Sequence, residues 1–126
     1  MSEFSYPKAE KLKQKKEIDL LFQKGKWTTS ENLRIITLNF DQRPQEGFAY
    51  TTQKVGVSVS KRYFKKAVDR NRVKRLLREA YRLNKEEFIA KFGKNSISMI
   101  FWISPKKPED FKTLENNFLK LCSSAK

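Results

Sequence analysis

The stretch from Lys61 to Arg82, KRYFKKAVDRNRVKRLLREAYR, gathers ten cations against two acids, Asp69 and Glu79. The cations are Lys61, Arg62, Lys65, Lys66, Arg70, Arg72, Lys74, Arg75, Arg78 and Arg82. Val73, Leu76, Leu77, Ala80 and Tyr81 recur at helical spacing, so one face of this helix belongs to a core. Lys74, Arg78 and Arg82 follow at intervals of four, with Arg70 one turn earlier, and Asn71, Arg75 and Arg78 make the adjacent ridge. Like charges at that spacing repel, and a face kept only for solubility mixes its signs. The chemistry such a band offers is phosphate binding, with Arg as a planar fork and Lys as a point charge. Asn71 adds a neutral donor and acceptor, able to read a base edge or a 2′-hydroxyl.

The same sequence offers little for covalent chemistry. Histidine is absent and Cys122 is the single cysteine, so Ser-His and Cys-His catalysis, Cys/His zinc sites and an internal disulfide are excluded. Most of the carboxylates are scattered: Glu17, Asp19, Asp41, Glu46, the adjacent Glu86 and Glu87, and Glu109-Asp110. A metal-dependent nuclease needs several that converge. Asp69 and Glu79 lie within the cationic band, where local Arg partners are expected. The chain reads as a strong binder and a poor enzyme on its own.

Composition agrees. The 126 residues carry a formal charge of +14, which suits one domain and a polyanionic partner. Sixteen aromatic residues supply a core that a disordered basic tail lacks. No apolar run approaches the roughly 20 residues a bilayer span needs, and the basic helix lacks a lipid-penetrating edge. The N-terminus lacks a signal-peptide core, so a cytoplasmic location is expected.

The elements that hold the band follow from periodicity. Residues 1–14 read as a flexible basic N-terminus, 15–122 as one folded domain and 123–126 as a tail. A short helix is predicted over 15–24, with Ile18, Leu21 and Phe22 on one side and Gly25 as its stop. Trp27 to Thr29 reads as a short strand. Leu33 to Phe40 reads as a strand with Leu33 and Ile35 on one face and Ile36, Leu38 and Phe40 on the other. Residues 41–47 are loop by composition. Lys54 to Ser60 is a strand with Val55, Val57 and Val59 on one face. The small Gly56, Ser58 and Ser60 on the other face either pack under a helix or line a groove. The basic helix runs from 66 to 92 with fraying or a break near Asn84, then a two-sided apolar strand over 96–103 and a final helix over 108–122. The order α-β-β-β-α-β-α gives an α+β sandwich. Phe22, Trp27, Phe40, Tyr50, Tyr63 and Phe64 are candidates for stacking on single-stranded bases, most of them competing with a core role.

Two motifs give this order a family. Val55-Gly56-Val57-Ser58-Val59-Ser60-Lys61 precedes Ala67-Val68-Asp69-Arg70-Asn71-Arg72-Val73-Lys74-Arg75-Leu76-Leu77-Arg78-Glu79, which satisfies A-x-x-R-N-x-x-K-R-x-x-R-E at every fixed position. The pair resembles the bacterial ribonuclease P protein component, and a looser likeness covers residues 12–122, including Phe22 to Gly25 at the end of the first helix. The resemblance implies a fold like domain 2 of ribosomal protein S5, with a left-handed β-α-β crossover around the basic helix. It implies a small subunit, one per RNA, of the ribonucleoprotein that removes the 5′ leader of precursor tRNA. In that family the RNA subunit hydrolyses the bond with bound Mg²⁺, and the protein alone is inactive. By resemblance the RNA-facing residues are Arg70, Asn71, Arg72, Lys74, Arg75 and Arg78, flanked by Lys61, Arg62 and Lys66. A cleft for the leader, between the first helix and the sheet, falls to Ile18, Phe22 and Ile36. Ile18 and Ile36 stand where aromatics are common in the family, which reduces stacking there to aliphatic contact. The segment 41–52 is longer than in compact members. A ribosome-associated module on the same fold and a stand-alone hydrolase are the competing classes.

Overall fold

The computed structural model describes residues 10–47 and 53–123. Along the chain these form α1 (Lys15–Lys24), β1 (Lys26–Ser30), β2 (Leu33–Asn39), β3 (Lys54–Val59), α2 (Ala67–Leu83), α3 (Lys85–Phe92), β4 (Ser96–Trp102) and α4 (Phe111–Ser123). The four strands make one mixed sheet in the order β1-β2-β4-β3. β1 pairs β2 and β2 pairs β4 antiparallel, whereas β3 and β4 run parallel and are joined through α2 and α3. The α+β reading and the element order hold, with the predicted break realised as two helices. Asn84 makes the break: its side-chain amide donates to the Ala80 carbonyl at 2.8 Å and to Glu115 at 2.9 Å, closing α2 and tying it to α4.

Strand alternation divides the core in two. On one face Leu33, Ile35, Val55, Val59, Ile100 and Trp102 pack under α2, α3 and α4. There Phe88 lies parallel to Phe118 and edge-on to Tyr81. On the other face Ile36, Leu38 and Ile97 pack with Leu12, Leu21 and Phe40 beneath the single short helix α1. One layer of three helices against one helix of ten residues leaves the second face only partly covered. Phe40 and Phe64, candidates for stacking, are core residues, and Tyr63 packs against the same core. Tyr50 lies outside the described residues.

Residues 10–14, grouped with the flexible terminus by composition, are docked. Leu12 is 6 % exposed, and its amide donates to the Val55 carbonyl at 3.2 Å beside β3. Tyr81 donates its hydroxyl to Glu10 at 2.7 Å, Gln53 donates to Tyr81, and Lys85 pairs with Glu10 at 2.9 Å. A buried Tyr hydroxyl and a carboxylate both require partners, and each supplies the other's.

Gly25 sits where α1 turns into β1. A Cβ there would lie 2.5 Å from the Leu21 carbonyl oxygen and 2.6 Å from Ile36 Cγ1. The carbonyl already accepts the Gly25 amide at 2.7 Å and Ile36 is fully buried, so neither moves freely. Gly25→Ala is therefore expected to destabilise the domain by about 1–3 kcal/mol, read as a lower urea midpoint with unchanged slope.

Cys122 lies in the α4 core, and burial pushes its thiol up to about 12. The fold favours the protonated thiol, so this contribution is complete below the ordinary thiol range and fades as pH rises toward about 12. A thiol reagent at pH 8 should leave the native chain unlabelled and modify it in denaturant.

Candidate nucleic-acid interface

The cationic surface is built on α2. Val73, Leu77, Ala80 and Tyr81 turn to the core, which sends the remaining ridges outward. Asn71, Arg72 and Arg75 are exposed, Lys74 and Arg78 half-buried. Lys61, Arg62, Lys65 and Lys66 are exposed on the turn that leads from β3 into the helix. All nine residues assigned to RNA contact by resemblance therefore lie on this turn and helix.

Arg70 differs from the rest. One guanidinium nitrogen donates to the carbonyls of Phe64 and Lys65, at 2.9 and 2.8 Å. It braces the turn that presents Lys65 and Lys66, and so acts on the surface through its neighbours as well as by its own charge. The two acids are also occupied. Glu79 takes Arg82 at 2.5 Å, and that hydrogen bond holds its carboxyl below the usual range. Asp69 pairs at 3.0 Å with Lys107 from the β4–α4 connection, not with a local Arg as its spacing suggests. Both acids are thus engaged by cations at or beyond the ends of the band. Arg72, Lys74, Arg75 and Arg78 remain a continuous positive strip along the helix.

A second surface lies on the sheet face that α1 leaves open. Cross-strand register places Trp27, Ile36, Met99 and Gly56 in one row, and Thr29, Arg34, Phe101 and Ser58 in the next. Phe22, at the end of α1, leans toward these rows. Its ring centroid is 6.1 Å from both Trp27 and Phe101, and Trp27 is 5.6 Å from Phe101. The Arg34 guanidinium sits 4.1 Å from the Trp27 ring centroid, within cation–π range. Phe22 is 47 % and Trp27 39 % exposed, an unusual pairing of large rings at a surface. The strip offers flat π-faces with a cation beside them, the combination that holds single-stranded nucleic acid.

The cleft residues assigned by resemblance divide here. Phe22 is in the strip. Ile18 is half-buried and packs with the core beneath α1. Ile36 is 0 % exposed, sealed beneath α1 and against Gly25, so it supports the surface without forming part of it. Phe101 and Arg34 also belong to the strip; neither is singled out by the sequence, where Phe101 falls in the apolar strand 96–103 and Arg34 between the apolar positions of the strand 33–40. One sequence signal could have exposed Phe101. Phe101 and Trp102 are adjacent on a strand and must face opposite sides, and one side has a single short helix to cover it. On the small face of β3, half-buried Gly56 lies against Met99, where a Cβ would come within 3.1 Å of Sδ, and also lines a hollow with Leu12 and Arg78, while Ser58 continues the row of Phe101.

Among the described residues no group of three or more His, Cys, Asp or Glu is placed to hold a metal ion. None of their helices is long and apolar enough to cross a membrane.

Fold and surface together define a small cationic α+β domain with two separate faces suited to polyanions. Residues 6–126 match the family model described as Ribonuclease P. The chain belongs to the ribonuclease P protein family, the protein component of that ribonucleoprotein. It is 37 % identical to the ribonuclease P protein component of a Porphyromonas gingivalis strain, over 93 % of this chain and 83 % of that one. It is 32 % identical to that of Finegoldia magna, over 94 % and 92 %. The fold is also that of the Staphylococcus aureus RNase P protein, with TM-score 0.70 at 21 % identity over 90 % of this chain and 93 % of that one. The Thermotoga maritima RNase P protein superimposes with TM-score 0.66 at 24 % identity, over 90 % and 94 %.

Proposed function

We propose that this chain is an RNA-binding accessory subunit: α2 docks on the ribonuclease P RNA, and the aromatic strip holds the 5′ leader of precursor tRNA. The observation that carries this reading is the separation of two surfaces of different chemistry. The α2 strip is cationic without exposed aromatics and suits the phosphates of a folded RNA, whose grooves display backbone and 2′-hydroxyls. The Phe22-Trp27-Phe101 strip, with Arg34, suits unpaired bases. A leader is single-stranded and the catalytic RNA is largely folded, so each surface fits one partner.

The RNA subunit supplies the Mg²⁺ and the hydrolytic chemistry, and the protein supplies binding and orientation, one copy per RNA, in the cytoplasm. Scattered carboxylates and the absence of histidine support this division. Precursor tRNA bearing a labelled leader tests it, incubated with protein alone, with RNA alone and with both at low Mg²⁺. Cleavage is expected only with both. A Staphylococcus aureus protein of the same fold is known as a mutant with defective mRNA degradation activity, so the protein-alone reaction carries weight. Cleavage there, by protein freed of RNA, would assign the chemistry to the chain and overturn this reading.

A further inference from the structure

Around the edge of the sheet from the aromatic strip lies a concavity of about 290 Å³. Lys24, Lys26, Arg43 and Lys91 line it with Thr28 and Thr37, and no carboxylate is among its walls. The four cations come from four separate pieces of chain: the end of α1, the start of β1, the loop after β2 and the end of α3. Three of them have a local reason to be basic. Lys24 and Lys91 stand in the last turns of their helices, where the dipole favours a cation, and a lysine on an outer strand discourages edge pairing. None of these reasons requires the four to share one hollow. Like charges gathered in a concavity repel, and focus a positive potential there. Arg43 is also held in place, donating to the Lys24 carbonyl at 2.6 Å.

The position of the bay connects it to the strip. β1 is one of the two edge strands, and successive side chains along it alternate between faces. Trp27 therefore lies on the strip side, while Lys26 and Thr28, in register with Thr37 and Ile35, lie on the bay side. On α1, Phe22 and Lys24 are two residues apart. A single strand stacked on Phe22 and Trp27 reaches the bay by passing over the thickness of one strand.

We propose that this bay binds backbone phosphates of the precursor leader, so that the leader crosses the aromatic strip and then wraps the outer edge of β1. This rests on the reading of the strip as the leader site. The test uses protein assembled with its ribonuclease P RNA, and precursors with either a long leader or one trimmed to the few nucleotides the strip can hold. The K26Q/R43Q double variant is expected to bind the long-leader precursor roughly tenfold more weakly near physiological salt, with a salt slope shallower by about 1.4, and the trimmed precursor as before. K26E, which leaves the Arg43 bond intact, should show the same dependence on leader length and serves if the double variant folds poorly. Equal losses for both leaders would place the bay against the catalytic RNA, and no loss would leave it without a phosphate; either result overturns the proposal. A W27A control separates the two readings. If it fails to weaken the trimmed precursor, the strip itself is not the leader site; if it does weaken it while the bay variants change nothing, only the bay proposal falls.

Discussion

Replacing Arg72, Lys74 and Arg75 together with Ala should weaken binding of the ribonuclease P RNA roughly a hundredfold near physiological salt, and make the salt slope shallower by about 2.7. The three side chains lie on the solvent ridges of α2, and no carboxylate of the helix competes for them. Their loss removes three sites of counterion release and leaves the core residues Val73, Leu77, Ala80 and Tyr81 in place. The melting temperature should therefore hold, or rise as self-repulsion falls. Arg70→Ala should behave differently. It removes donors to two backbone carbonyls and loosens the turn carrying Lys65 and Lys66, so stability and binding should fall together. An unchanged salt slope in the triple variant would mean that RNA docks elsewhere.

The second large effect is expected at the strip. Phe22→Ala with Trp27→Ala removes two of its three rings, and each base that loses its stacking partner forfeits about 1–3 kcal/mol. The assembled complex should lose most of its preference for precursor over mature tRNA, while its affinity for mature tRNA, which has no leader, stays the same. Binding of both substrates at fixed salt checks this. Parallel losses for precursor and mature tRNA would remove the strip from leader recognition.

The cationic helix was legible because its signal is local. A charge ridge and an apolar face at helical spacing need only the sequence of one element, and α2 carries both. The strands were legible for the same reason, through alternation. The strip was less so, because it exists only where three elements meet. Phe101 follows Ile100 in a continuous apolar run, and nothing local says that its side of the sheet is thinly covered. Ile36 shows the converse: a residue placed in the cleft by resemblance is sealed by α1 and Gly25, a contact set by helix docking. The partner of Asp69 was illegible too, since Lys107 is 38 positions away and reaches it only through the β3–β4 crossover. The docking of residues 10–14 was illegible as well, because Glu10 is held by Tyr81 near the end of α2 and by Lys85 at the start of α3.

The buried Cys122 makes one direct measurement practical, because a thiol-linked photo-crosslinker can be placed on a chosen surface without competing reaction in the core. The variants are R72C on the α2 strip and T29C beside Arg34 and Phe101, each assembled with ribonuclease P RNA and precursor tRNA. The two-surface account predicts that the probe at position 72 labels the ribonuclease P RNA and the probe at position 29 labels the 5′ leader. Labelling of the leader from position 72, or of the catalytic RNA alone from position 29, would contradict it.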